Sequence, residues 1–353
     1  MIKKIIKIFF MVGAVFILLL FIGTGVILVL RNAGKSSLFT NTSTSKPQIA
    51  SGDGPLLKYG YPSNWQDDWI IYDGNVYDYN DDIMTFLFMG IDKTDEEVKE
   101  VYGEINAGQA DALFLLVLNP HDQTAKVIGV NRNTIADVDI YDEYGNYVNT
   151  RKAPIAVQHG FGDGKKQSGE LQKMAVSKLF YSLPIHGYMA VNMSAIPALN
   201  AAVGGVDVTP RYSFSAEGYD FVEGQTVHLD GTGAFAYLHE RDVTKAGSAD
   251  LRLQRQKDYV LAFISKAKAI TKTNPLLALD IYNSVEKQMT TDLTPQRVIY
   301  LSDIASSYSI DKNGFYLMEG VTRVGDMYEE FYPDEDALVR LMLEVFYDRV
   351  IVE

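Results

Sequence analysis

The sequence predicts an α/β domain, layered as α/β or α/β/α, standing behind one N-terminal membrane-spanning helix. Three observations predict it. Residues 8–30 carry no charge. Three apolar runs, 85–89, 112–118 and 126–130, are bounded by polar turns and suit strands buried on both faces. Beyond them, helical and strand-like patterns alternate, which is the signature of a layered α/β domain.

The N-terminal run is long enough to span. As a helix it would measure about 34 Å, more than the hydrocarbon layer requires. A secretory signal has a shorter apolar core and a small-residue cleavage site, which is not evident here, so an uncleaved anchor is expected. Lys3, Lys4 and Lys7 precede the run, and Arg31 and Lys35 follow it. With a tail of only residues 1–7, this favours the N-terminus inside and the domain outside the cytoplasm. Residues 31–55 are rich in Ser, Thr, Gly and Lys and read as a flexible linker.

Residues 56–82 hold Trp69-Ile70-Ile71-Tyr72-Asp73-Gly74-Asn75-Val76-Tyr77. Asp-Gly between short apolar runs is a strong hairpin signal. The main domain is expected over 83–272. Its second and third apolar runs are joined by a six-residue polar turn, short enough for an antiparallel hairpin. If the first run is also antiparallel to the second, one sheet edge gathers Asp92, Asp111 and Arg132. Helical patterns follow near 169–181, with a strand-like stretch at 188–193. Ser194 is a plausible N-cap for a helix over 195–203, which Gly204-Gly205 stops. Residues 250–270 read as a long helix with an apolar face. Residues 273–353 are expected to complete the domain with helices, one starting at Pro295 and a closing amphipathic one near 334–347.

Composition excludes several function classes. There are no cysteines, hence no disulfide framework and no thiol chemistry. The net charge is −13; the first 35 residues are basic, leaving −18 for the remainder. Such a surface repels nucleic acid. An anionic substrate must be met by a local arginine cluster. Ala249-Asp250-Leu251-Arg252-Leu253-Gln254-Arg255-Gln256 supplies one, because Arg252, Arg255 and Gln256 share a helix face. Both arginines oppose the helix dipole at that terminus, and a bound anion would reverse the sign. Solvated arginines on an exposed helix start remain the plain alternative. Arg241 lies just upstream. Guanidinium groups grip phosphate oxygens in bidentate fashion, so several converging ones would hold a pyrophosphate. Asp92 and Asp111 are candidates for a divalent cation, or else caps at strand ends. The five histidines form no triad or zinc pattern, and no phosphate-loop or dinucleotide fingerprint is present.

The order of these segments resembles the LytR-CpsA-Psr family. Phe86-Leu87-Phe88-Met89-Gly90-Ile91-Asp92 is similar to its opening strand and aspartate, and Gly108-Gln109-Ala110-Asp111 to its second aspartate motif. Val130-Asn131-Arg132-Asn133-Thr134 resembles its Pro-Arg-Asp segment. Ala202-Val203-Gly204-Gly205-Val206 resembles its Gly-Gly-Val turn. Leu229-Asp230-Gly231 through Arg241, then Arg252-Leu253-Gln254-Arg255-Gln256, resemble its late arginine block. The resemblance implies an α/β/α fold with a mixed central sheet and a deep apolar pocket for a polyprenyl tail. It implies a phosphotransferase that moves a polyprenyl-pyrophosphate-linked glycopolymer, of teichoic acid or capsule type, onto a peptidoglycan hydroxyl. By the same resemblance, Asp92 and Asp111 hold Mg2+ (or Mn2+). Arg132, Arg241, Arg252, Arg255 and Gln256 grip the phosphates, the four arginines being the catalytic set.

Four positions in three segments depart from the family pattern. Gln109 stands where an arginine is often found. Asn131 and Asn133 replace the proline and acid of the Pro-Arg-Asp segment, and His239 replaces the first arginine of the late pair. Asn keeps hydrogen bonds of Asp but not its charge. Two other function classes fit the same site. One is a protein that binds polyprenyl phosphate or wall polymer without turnover, favoured by Asn133 and His239. The other is a hydrolase that releases carrier phosphate to water.

Overall fold

The structure is a computed structural model and describes residues 32–36, 46–50, 65–103, 105–240, 247–274, 276–310, 313–325 and 328–351. The predicted span at 8–30 lies outside these residues. Among the described residues no helix is long and apolar enough to cross a membrane.

Strands β1 (Ile70–Tyr72) and β2 (Asn75–Tyr79) form the expected hairpin. Asp73 and Gly74 both have positive φ, 46° and 70°, as a two-residue turn that follows the strand twist requires. Next come β3 (Met84–Ile91), β4 (Ala110–Asn119) and β5 (Thr124–Val130), successively antiparallel. Their side chains split by parity. Leu113, Leu115 and Val117 join Leu87, Ile91 and Ile128 in one core. Phe114, Leu116 and Val127 face the other way with Phe88. Both faces are covered, and the sequence therefore reads as continuous apolar runs.

An antiparallel ribbon follows, β6 (Ile135–Tyr141) with β7 (Tyr147–Pro154). Then come α1 (Lys166–Leu179), β8 (Gly187–Asn192) and α2 (Ile196–Ala202). Ser194 does not cap α2. A 3-10 turn over Met193–Ala195 precedes the helix, and the Ser194 hydroxyl donates instead to the Asp95 carbonyl at 2.7 Å. Gly204 and Gly205, with φ of 72° and 81°, stop the helix as expected. Short strands β9 (Val206–Val208), β10 (Phe214–Ala216), β11 (Tyr219–Phe221) and β12 (Val227–Leu229) lead to α3 (Gly231–His239). They pack a smaller core with Tyr237 and Tyr259.

The long helix is α4 (Ser248–Thr271). Beyond it the chain holds α5 (Leu277–Ser284), β13 (Met289–Thr291), α6 (Pro295–Ser307) and β14 (Phe315–Leu317). It ends with β15 (Gly320–Val324), β16 (Glu329–Pro333), α7 (Glu335–Phe346) and β17 (Tyr347–Val350). Thr294 and Asp334 cap α6 and α7. The last third therefore supplies strands as well as the predicted helices. These strands are three to five residues long, too short to show a period of two, so they left no sequence signal.

The six-stranded central sheet has the order β13-β8-β3-β4-β5-β14. β3–β8 and β5–β14 are parallel pairs and the others antiparallel, so the sheet is mixed. α1 and α7 cover one face through Ala175, Val176, Leu338 and Met342. α4 and α6 cover the other through Leu253, Val260, Val298 and Leu301. This is the three-layer α/β/α architecture. β17 pairs with β2, tying the chain's end to the hairpin.

Candidate active site

Two successive antiparallel turns bring the end of β3, the start of β4 and the end of β5 to one sheet edge. Asp92, Asp111 and Arg132 meet there. Arg132 Nη1 lies 2.6 Å from Asp111 Oδ1. From the other layer, Arg252 Nη1 reaches Asp111 Oδ2 at 3.0 Å. Asp111 is thus clasped by arginines from the sheet and from α4. Side-chain exposure is 7% for Asp111, 17% for Arg132 and 5% for Arg252, so the contact is largely dry. The arginines on α4 are not solvated, which removes the plain alternative for them.

Gln109 holds this cluster together. Its backbone N–H donates to Asp92 Oδ1 at 2.6 Å, and its side-chain oxygen accepts from Arg132 Nη2. The 107–109 turn is fixed by Gly108, whose φ is 86°. A Cβ there would stand 2.8 Å from Ile91, 2.9 Å from Lys93 and 3.0 Å from Asp92. Gly108 O in turn accepts from His159 Nδ1 at 3.1 Å. Burial pushes the His159 pKa down to about 4, so the ring is neutral and carries its proton on the donating nitrogen. Asp92 stands at the exposed rim of the site. Desolvation of its carboxyl raises its pKa; the Gln109 N–H opposes this and the Asp111 charge adds to it.

Arg255 lies behind Arg252. Its guanidinium sits 4.4 Å from the Phe214 ring centre, with Tyr212 and Tyr237 at 5.8 and 5.9 Å. It donates to the Glu240 carbonyl. Burial lowers its pKa, and the neighbouring Arg252 charge works in the same direction. Among the described residues, Arg252 Nη2 and Arg255 Nε have no hydrogen-bond partner, although the two residues are only 4% and 2% exposed. Buried N–H groups without partners cost stability unless a ligand satisfies them. Arg241 lies outside the described residues. His239 sits 3.6 Å from Glu217 and against Phe235, so it belongs to the α3 end and its hairpin neighbour.

Asn131 does something the family's proline cannot. Its Oδ1 accepts from the Asn133 N–H at 2.8 Å, and its Nδ2 donates to Asp250 Oδ1 at 2.5 Å. This bridges the end of β5 to the first turn of α4 and so sets Arg132 against Arg252. The bridge has no sequence signature, since Asn131 and Asp250 are far apart in the chain.

Beneath the cluster, between the sheet and α4, α5 and α6, lies a cavity of about 520 Å³. Phe88, Phe114, Leu116, Val260, Phe263 and Tyr282 are among its walls. Gly90, Ala112 and Gln256 also line it. Gly90 and Ala112 are one or two residues from Asp92 and Asp111. The cavity therefore starts at the charged cluster and runs along β4 to Leu118, about 20 Å at strand rise.

The fold and site define a class of α/β/α protein in which an apolar chamber ends at paired aspartates and converging arginines. The chain belongs to the LytR_cpsA_psr family, whose profile matches residues 63–341. It is 24% identical over 267 residues to the polyisoprenyl-teichoic acid–peptidoglycan teichoic acid transferase TagU of Enterococcus faecalis, covering 75% of this chain and 80% of that one. It is 27% identical over 243 residues to the protein of the same name from Bacillus mycoides, covering 69% of each. Among solved structures, TagV of B. subtilis superposes with a TM-score of 0.57 at 22% identity, covering 75% of this chain and 96% of the other. That likeness establishes the mixed α/β fold.

Proposed function

We propose that this chain is a membrane-anchored, extracytoplasmic transferase that moves a glycopolymer phosphate from a polyprenyl pyrophosphate carrier onto a peptidoglycan hydroxyl. The observation that carries the reading is the convergence of Arg132 and Arg252 on Asp111 at the end of the apolar cavity. The cavity suits the polyprenyl tail, and the partnerless N–H groups of Arg252 and Arg255 suit its pyrophosphate. The relatives named as teichoic acid transferases support the same reaction class.

The chemistry follows from these positions. The acceptor hydroxyl oxygen attacks the phosphorus that bears the glycopolymer. The bond from that phosphorus to the carrier phosphate breaks, and the carrier leaves as polyprenyl phosphate. The hydroxyl proton departs to solvent at the exposed rim. Arg132, Arg252 and Arg255, with Arg241 and Gln256, hold the phosphates in line and neutralise the charge that shifts onto the leaving group.

The residues also fit a divalent cation. Among the described residues Asp92 accepts a hydrogen bond at Oδ1, from the Gln109 N–H, which leaves Oδ2 to a cation. Among the described residues no three metal-ligating side chains cluster. Magnesium needs only one or two carboxylates when phosphate and water complete its shell. Asp92, and Asp111 once its arginines turn to phosphate, would hold Mg2+ or Mn2+, which when bound supplies further charge neutralisation.

The test is transfer by the detergent-solubilised full chain from a polyprenyl-pyrophosphate glycan to peptidoglycan oligomers, with magnesium or chelator, beside Arg132→Ala. Metal-dependent product lost in the variant is the expected outcome. A second reading, lipid capture without turnover, is favoured by the double engagement of Asp111, whose charge two arginines already neutralise. Tight lipid binding with no product would select that reading.

A further inference from the structure

A second cleft, of about 720 Å³, opens on the other side of α4. The β15–β16 hairpin forms its outer wall, and Asn131, Asp250, Leu253 and Gln254 form its inner wall. Helix α4 is the partition. Asp250 and Gln254 face the cleft, whereas Gln256, Tyr259 and Val260 face the apolar cavity. Arg132 directly follows Asn131, and Arg252 lies two residues beyond Asp250 on α4. The inner wall of the cleft is thus one or two residues from the two arginines that pair with Asp111.

We propose that this cleft binds the acceptor, a hydroxyl-rich sugar chain, and presents its hydroxyl to the phosphate held by Arg132 and Arg252. The inference rests on the transferase reading and assigns its acceptor a place. In-line displacement requires the attacking and leaving oxygens on opposite sides of phosphorus. With the carrier tail in the apolar cavity, the attacking oxygen enters from the polar side. The lining suits sugar. Gln254 and Arg323 offer donors, and Glu319 and Asp334 offer acceptors. Tyr332, 37% exposed, offers an aromatic wall, with Arg323 over its ring at 4.9 Å. The three carboxylates, of Asp250, Glu319 and Asp334, disfavour a polyanion, so the phosphate-bearing polymer is kept out of this chamber. Thr322 Oγ1 donates to Asp250 Oδ2 at 3.1 Å, while Asp250 Oδ1 holds Asn131. The hairpin is thus tied directly to the residue beside Arg132.

The experiment is calorimetric binding of a peptide-free peptidoglycan glycan tetrasaccharide to the detergent-solubilised full chain, without donor lipid. Wild type is expected to bind. Tyr332→Ala should weaken binding roughly tenfold through loss of an aromatic wall, with Gln254→Ala weakening it as well. Both variants should retain donor-lipid affinity, which shows that they fold. In transfer assays, Tyr332→Ala should raise KM for the acceptor and leave kcat unchanged. Absence of glycan binding in wild type, or affinity unchanged in both variants, overturns the proposal. Glycan binding does not require turnover, so failed transfer with intact, Tyr332-dependent binding would reject the transferase reading and leave the cleft assignment standing.

Discussion

Asp111 is the counter-charge of two guanidiniums that approach from different layers. Arg252→Ala leaves a buried carboxylate with one arginine. Breaking a buried pair from one side costs about 3–5 kcal/mol, so the urea midpoint should fall markedly along with transfer. A midpoint within error of wild type would show that Asp111 is solvated in solution. Gly108 is a second pressure point. Gly108→Ala places a Cβ at positive φ among Ile91, Lys93 and Asp92, and should cost about 1–3 kcal/mol in thermal unfolding. Asp92, Asp111, Arg132, Arg252 and Arg255 were all legible as residues, because charged groups at strand ends and helix starts stand out against apolar runs. Gln109 was legible only as a departure from a pattern. Its actual contacts, an amide to Asp92 and a carbonyl to Arg132, depend on a turn whose geometry a sequence does not display.

Elements turn these residues into a site. β4 carries Asp111 at its start and then alternates between two cores, so one strand both places the charge and lines the cavity. Ala112 marks the cavity end nearest the cluster. Ala112→Phe should fill that end, raise KM for a polyprenyl donor and leave far-UV circular dichroism unchanged; an unaltered KM would mean the tail takes another path. α4 does comparable double duty through its helical period, with Asp250 and Gln254 on the cleft and Gln256, Tyr259 and Val260 on the cavity. Long elements such as β3–β5 and α4 were readable because many residues repeat one pattern. The short strands β13 to β17 were not, because tertiary pairing forms them and local preference does not.

At the scale of the molecule, two buried histidines link folding to acidity. His159 supports the Gly108 turn, and His186 Nδ1 accepts from the Thr85 N–H at 3.0 Å. Burial pushes both down to about 4 from the ordinary 6.5. In that window the unfolded chain binds protons that the folded chain refuses, so stability is full above about 6.5 and declines as pH falls toward 4. Thermal melts between pH 7 and 4 should show this decline, and replacing His186 by Gln should flatten it. A profile unaffected by the replacement would assign the acid sensitivity to other groups.

By itself the sequence determined the layered α/β class, the three central strands, the long arginine-bearing helix and the family. Each is written in a repeating local pattern or in an ordered set of motifs. Only the tertiary structure decided that α7 and β17 close the opposite face and the hairpin, and that Asn131 ties the sheet to α4. It alone decided that a polar cleft and an apolar cavity both lie against α4. These features join residues more than a hundred positions apart, and such contacts are fixed by packing geometry and not by any local preference of the chain.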